Sequence, residues 1–331
     1  LSALWIATLL NVVGLRTGKW LHNVGAVSNW APVPILIIVA IIAHHRFGSA
    51  TAFDAASLAP HAGRKDIFLW SSIVFALAGS EAMAFLRHEV PDTHRTFPRA
   101  LLLSGVICAA GYILGTIAIL VILPVRQVSG MGGIVDAAAA GGARIGWLGL
   151  VPLIAAMLVV SNVGGVGAWL TATARLPFVA GIDRYLPAAF GRLHPRFGTP
   201  HRSFFWQAGL ATAFILLSEA GTTVAGAYQV LVSMGIISYF LPYLFTFASL
   251  WRVQTMPAGP EVIRVPGGAV VARLLAASGF TVTAAGILLS CLPDPGEANK
   301  PFAVAKVVGS SVLLVVIGQL VYRRGARARR S

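Results

Sequence analysis

The sequence predicts an all-α integral membrane protein, and three observations lead to that fold class. Of its 331 residues, 57% are hydrophobic and only 11% are charged, whereas a soluble domain carries about 25% charged residues. The apolar residues form long runs without charge, each of the length that crosses a bilayer. Lysine and arginine, which give the chain a formal net charge of +14, are gathered in short clusters between these runs. This composition excludes a water-soluble globular domain and a disordered chain.

Eight full membrane spans are predicted, because a 30 Å hydrocarbon layer needs about 20 apolar residues in helical conformation. Residues 1–13 are also apolar and are predicted to be the end of a further span. Since the chain begins inside this run, we expect a fragment whose N-terminal part is missing. In chain order the full spans cover 20–43, 67–86, 100–123, 147–173, 204–218, 223–251, 271–292 and 301–322.

The distribution of lysine and arginine predicts the orientation of the spans. Counted over alternate loops, 18 of these residues fall on one side and 6 on the other, so the richer side is expected in the cytoplasm, together with the basic C-terminal residues 323–331. The remaining Lys306 lies near the start of the last span and is expected to extend toward the aqueous boundary. The positive net charge is thus explained by the basic residues of the cytoplasmic loops, and a nucleic-acid partner is not expected. Arginine and alanine richness favours a bacterial source, and therefore the inner (plasma) membrane.

One carboxylate stands inside a predicted span, Glu81 in the run FALAGSEAMAF (75–85). An ionisable group at membrane depth is costly and faces a cavity or the bundle interior. The preceding residues 78–80 (Ala-Gly-Ser) are a weak helix stretch because the glycine permits an unwound turn, which favours an interrupted helix whose backbone groups bind a ligand. The alternative is an intact helix in which Glu81 bonds to a neighbouring helix.

A second glycine-rich stretch, SNVGGVGAWL (161–170), offers two interpretations. Its glycines are either close helix contacts or the wall of a cavity that Trp169 faces. No motif of a P-loop, a nucleophile elbow or a zinc site appears, and His44 with His45 lacks a third metal ligand. We therefore expect neither an enzyme nor a resident metal or cofactor.

Five segments, in chain order, resemble the amino acid–polyamine–organocation (APC) family of amino-acid permeases. They are NVVGLRTGKWLHNV (11–24), FALAGSEAMAFLRHEVPDTHRTFPRA (75–100), ATARLPFVAGIDRYLPAAFGRLHPRFGTPHRS (172–203), FLPYLFTFASL (240–250) and RVPGG (264–268). Each match alone is weak, whereas the order and spacing of all five are specific.

The resemblance implies a transporter fold of twelve helices with two inverted five-helix repeats, present here as one partial transmembrane domain. On that map residues 1–43 are the end of helix four and helix five, and helices one to three are missing. Residues 67–251 are the second repeat, helices six to ten. Residues 271–322 are helices eleven and twelve, followed by the basic tail 323–331.

The resemblance also implies a substrate site. Phe75 falls at an aromatic gate, Glu81 is the acidic member of the unwound turn, Trp169 flanks the site, and Ser233 is a looser match to a polar position on helix ten. The predicted substrate-binding residues are Phe75, Ala78, Gly79, Ser80, Glu81, Trp169 and Ser233.

The predicted function is secondary active transport of an amino acid or related amine by alternating access, as a permease or an exchanger. Phe75, Glu81 and Asn29 are the residues expected in gating or coupling. Several proton-coupled relatives have a lysine where this chain has Asn29, which favours exchange for a counter-substrate or proton coupling through Glu81. The alternatives are a non-transporting receptor or scaffold, an inactive fragment, and an integral-membrane enzyme. Substrate identity and oligomeric state, a homodimer included, are left open.

Overall fold

The computed structural model describes residues 1–54, 64–80, 90, 92–129, 132–219, 223–254, 256, 264–293 and 299–328, and every regular element within these ranges is helical. The helices range in length from 8 to 30 residues. They are α1 (Ser2–Val13), α2 (Leu15–Trp30), α3 (Pro32–Phe47), α4 (Arg64–Ala76), α5 (Thr93–Ile122), α6 (Gly133–Ile145), α7 (Leu150–Thr173), α8 (Arg175–Ile182), α9 (His201–Glu219), α10 (Val224–Val253), α11 (Gly268–Ser290) and α12 (Lys300–Ala328).

Six helical segments of the described chain are long and apolar enough to cross a membrane, and each overlaps a predicted span. Of the other two predicted spans, 67–86 contains the end of α4, and 204–218 lies in the 19-residue α9. The all-α membrane class is therefore confirmed, while the number of spans stays a prediction. The six segments are Asn23–Phe47, Thr93–Ile122, Leu150–Ile182, Gly226–Val253, Gly268–Ser290 and Lys300–Arg327.

The predicted span 20–43 contains a junction that its hydropathy does not reveal. α2 ends at Trp30 and α3 begins at Pro32, with Ala31 between them in the right-handed helical region. The junction falls at Pro32 because proline has no N–H for the preceding turn and is favoured in the first turn of a new helix.

Two helices lie where the sequence analysis expected only connecting segments, α6 and α8. α6 forms because its alanines have the highest helix propensity. It ends at Gly146, whose φ of 76° is a left-handed conformation that glycine adopts without strain. Gly141 allows α6 to pack closely, since a Cβ there would lie 2.7 Å from a methyl carbon of Val39. α6 is thus part of the packed bundle.

The chain divides into two compact units, each with its own packing. The first comprises 1–59, 105–212 and 324–331, and the second 60–104 and 213–323. In the second, α4 packs against α10 and α11. The predicted repeat boundaries at 67, 251 and 271 stay a prediction. The main core of the first unit joins α3, α5, α6 and α7 through Leu36, Val39, Ala40, Ala118, Ile122, Leu123, Ala137, Ala138, Leu150 and Ile154.

Candidate functional site

α4 ends inside the predicted span 67–86, at the place where the sequence predicted an interruption. Its last helical residue is Ala76, and the two following N–H groups donate to carbonyls only three residues back, Leu77 to Val74 at 3.3 Å and Ala78 to Phe75 at 3.0 Å. These bonds tighten the last turn and stop the helix.

Gly79 turns the chain out of this helix. Its φ of 117° lies in the region that residues with a side chain rarely adopt. Ala78 and Gly79 are half-buried, and Ser80 is exposed. Glu81, the acidic residue of the predicted site, lies outside the described residues. The interrupted backbone is therefore present at residues 77–80, while the binding role of these residues stays a prediction.

Phe75, in the last turn of α4, packs into a group of aromatic rings on α10. Its ring meets those of Tyr239 and Phe240 edge to face, with centroids 5.6 and 5.9 Å apart. Such edge-to-face contacts are worth about 0.5–1.5 kcal/mol beyond the area that they bury. Gly235 faces the tip of the Phe75 ring, where a Cβ would be in ordinary van der Waals contact at 4.0 Å. The predicted gate residue thus contacts α10 directly.

The aromatic group continues along α10 beyond the residues that sequence reasoning selected. Tyr243 lies 5.7 Å from Tyr239 and 6.1 Å from Phe247, measured between ring centroids. Sequence reasoning assigns no role to Tyr239 and Tyr243, because Tyr243 lies in a run that is informative only as a resemblance, 240–250, and Tyr239 directly precedes it. Their spacing of four residues, which places side chains on one helix face, was the signal that could have found them.

Ser233 lies on the opposite side of α10 from Gly235, which is two positions away and about 200° around the helix. It lines a cavity of about 20 Å³, enough for one water molecule. The other walls of this cavity are Gly226, Gln229, Val230, Cys291, Leu292, Pro293, Ala303, Val304 and Val307. The structure therefore does not place Ser233 among the Phe75 contacts.

In the first unit, the glycine-rich stretch of α7 is a close helix contact. A Cβ at Gly25 of α2 would lie only 2.8 Å from the Cα of Gly164. Gly165, by contrast, has no atom within 4 Å of its would-be Cβ. Trp169 follows on the same helix with its side chain 42% exposed. The contact interpretation is correct for Gly164, and the cavity role of Trp169 stays a prediction.

Asn29 takes part in the same contact between α2 and α7. The Ser161 hydroxyl donates to its Oδ1 at 2.9 Å. Further along α7, the Asn11 amide of α1 donates to the Gly167 carbonyl at 2.8 Å. Because polar side chains in membrane helices bond across helices, both asparagines act here as links between helices.

Lys306 is buried within the protein, while its extension toward the aqueous boundary stays a prediction. It is the one charged residue among the buried side chains of the described ranges. Its Nζ donates to the carbonyl of Ser218 at 3.3 Å and lies 4.8 Å from the centre of the Phe302 ring. The ammonium stays inside because the C-terminal turn of α9 and an aromatic face both attract a cation.

The part of the chain that the structure describes contains no set of side chains that could bind a metal ion. No group of three or more His, Cys, Asp or Glu side chains is close enough there to hold a metal ion. The two histidines of α3 only contact each other edge to face, with centroids 6.1 Å apart.

The comparisons with known proteins agree with one another. A family model described as amino acid permease matches residues 1–317. The chain is similar to an uncharacterized transporter of Legionella pneumophila, with 27% identity over 98% of this chain and 71% of the relative. It is also similar to two Lactococcus lactis proteins. One is a probable agmatine/putrescine antiporter, 20% identical over 97% of this chain and 69% of the relative. The other is a glutamate/gamma-aminobutyrate antiporter, 22% identical over 78% and 53%.

Proposed function

The chain belongs to the amino acid permease family, and from this premise we propose that it exchanges amino acids or related amines across the plasma membrane by alternating access. It is a multi-pass membrane protein of a transporter family. The proposal includes the APC-type inverted-repeat fold and a cytoplasmic C-terminus.

The observation that carries the proposal is the end of α4 at Ala76, inside a predicted membrane span and followed by Gly79 at positive φ. Irregular backbone at membrane depth is tolerated where it lines a cavity or binds a ligand. A helix C-terminus also carries a partial negative charge. The substrate's ammonium group therefore binds at the carbonyl end of α4, beside residues 78–80.

Phe75 supplies the second part of the proposed site. Its ring is held by Tyr239 and Phe240, so its position is fixed before the substrate arrives. An ammonium group over an aromatic face gains about 0.5–2 kcal/mol, the more where water is excluded. The substrate's carboxylate is received by a half-helix N-terminus, whose partial positive charge attracts an anion.

Exchange is favoured over lysine-mediated proton coupling by Asn29. This side chain cannot carry a proton charge, and it is already bonded to Ser161. Two of the relatives have antiporter in their names, one for agmatine and putrescine and one for glutamate and gamma-aminobutyrate. An amine or amino acid on the opposite side of the membrane is therefore the proposed counter-substrate, and Glu81 favours cationic substrates. No observation among the described residues favours a receptor, a scaffold or an enzyme.

Uptake of labelled amino acids and diamines into proteoliposomes tests the proposal. Liposomes loaded with the unlabelled compound should take up label faster than empty ones. A protonophore should not reduce this uptake. Phe75→Ala should raise the KM about 5- to 30-fold, the equivalent of about 1–2 kcal/mol. Glu81→Gln should reduce the uptake of cationic substrates.

Phe245→Ala is the matched control, because Phe245 is also on α10 and is 70% exposed; its uptake should equal the wild-type value. Unchanged uptake of every compound by both Phe75→Ala and Glu81→Gln would overturn the site. Uptake into empty liposomes that requires a pH gradient would overturn exchange and leave transport standing.

A further inference from the structure

An apolar groove of about 390 Å³ runs between α10 and α11. The small side chains of the alanines on α11 leave the floor of the groove open. Gly279 lets the Phe247 ring pack directly on the backbone of α11. A Cβ at Gly279 would lie only 2.4 Å from that ring. The lining residues are Phe247, Ala248, Trp251, Ala276, Ala277, Phe280 and Thr281.

The lining of this groove fits a hydrocarbon chain. Three of its seven residues are aromatic and three are alanines. The Thr281 hydroxyl donates to the carbonyl of Ala277 at 2.9 Å, within its own helix. Both helices are long and apolar enough to cross a membrane, and Trp251 and Phe280 are 49% and 42% exposed, so acyl chains are the apolar groups that can reach the groove.

The register of α10 and α11 places two arginines toward one end of the groove. Phe240 packs against Gly286, and Phe247 packs against Gly279, so α10 and α11 run antiparallel with a fixed register. Extending this register places Arg252 beside the turn of α11 that carries Arg273. Arg273 also precedes Ala276, Ala277 and Phe280 by three, four and seven residues, which puts it on the groove face of its helix.

An apolar channel with guanidinium groups at one end is complementary to an anionic phospholipid. We propose that the groove binds one such lipid, with an acyl chain between Trp251 and Phe280 and the phosphate group at Arg273 and Arg252. Arginine recognises phosphate through several N–H groups at once. A second copy of the chain is disfavoured as the occupant. Two-fold symmetry about the membrane normal would bring the same arginines of both copies to one level.

Native mass spectrometry of the purified protein tests this site. The protein is exchanged into detergent with phosphatidylglycerol or phosphatidylcholine of identical acyl chains, and the retained lipid is counted. The wild type should retain phosphatidylglycerol in preference. Arg273→Gln should reduce that preference about fivefold, the effect expected for one basic residue near a lipid surface. Ala277→Phe, which fills the groove, should reduce the retention of both lipids.

Two variants serve as matched controls. Arg126→Gln removes an exposed arginine of the first unit, and Ala156→Phe adds a ring at an exposed alanine of α7 in the same unit; both should retain lipid as the wild type does. Equal retention of the two lipids by the wild type would overturn the proposal. So would unchanged retention by Ala277→Phe, or a dimer signal that Ala277→Phe abolishes, which would identify a second copy as the occupant.

Discussion

Substitution of Gly25 by alanine tests the close contact between α2 and α7. The added Cβ would lie 2.8 Å from the Cα of Gly164, whereas carbon atoms prefer about 3.5–4.0 Å. The two helices must therefore separate by roughly 0.7–1.2 Å. That movement stretches the 2.9 Å bond between Ser161 and Asn29 beyond the hydrogen-bonding range.

The expected cost of Gly25→Ala follows from these two effects. Overpacking costs about 1–3 kcal/mol, and an interhelical hydrogen bond in a membrane contributes about 0.6 kcal/mol. Together they predict a loss of about 2–4 kcal/mol. The thermal midpoint of the detergent-solubilised protein should fall by at least about 4 °C, taking about 2 °C for each kcal/mol.

Gly165→Ala is the control for this measurement. Gly165 is adjacent in sequence to Gly164, and its would-be Cβ has no atom within 4 Å. Alanine favours the helix over glycine by up to about 1 kcal/mol, so the midpoint of Gly165→Ala should equal or exceed the wild-type value. If both variants melt within about 1 °C of the wild type, the close contact of α2 with α7 does not stabilise the protein and the reasoning is refuted.

Two further substitutions test contacts of α1. Thr199→Val removes the hydroxyl that donates to the Val12 carbonyl at 2.7 Å, and leaving this buried carbonyl unpaired should cost about 1–3 kcal/mol in thermal or denaturant unfolding. Thr246→Val, whose hydroxyl bonds within its own exposed turn, is the control, and equal losses from the two variants would contradict the prediction. Asn11→Leu removes two bonds to α7 and should cost about 1 kcal/mol, at about 0.6 kcal/mol a bond. Asn162→Leu, an exposed asparagine bonded within its own helix, should unfold as the wild type does, and a loss as large as that of Asn11→Leu would speak against the α1–α7 link.

The end of α4 could be predicted from the sequence because its cause is local. Gly79 and Ser80 both have lower helix propensity than alanine, and only glycine adopts the conformation seen at Gly79 without strain. The class of the fold could be predicted for a similar reason, since the length of an apolar run alone decides whether it can cross a bilayer.

The contacts between helices could not be predicted, because they depend on register between segments far apart in sequence. Ser161 and Asn29 are 132 residues apart, and nothing in either segment specifies the other. Ser233 illustrates the same limit, since a match to a family position does not fix which face of α10 lines a cavity. The partner of Lys306, the Ser218 carbonyl, could not be predicted either, because it comes from the end of another helix.

The distance along the chain between α2 and α7 also has a consequence for biosynthesis. At about 5–20 residues per second, the ribosome needs roughly 7–26 s to progress over the 132 residues that separate Asn29 from Ser161. During that time α2 has left the ribosome while the helix that pairs with it does not yet exist. The Asn29 amide must be satisfied by water, lipid headgroups or the insertion machinery until α7 arrives. Membrane insertion of α2 and its final packing are therefore separate events in time. The insertion machinery is expected to retain α2 during the interval between them.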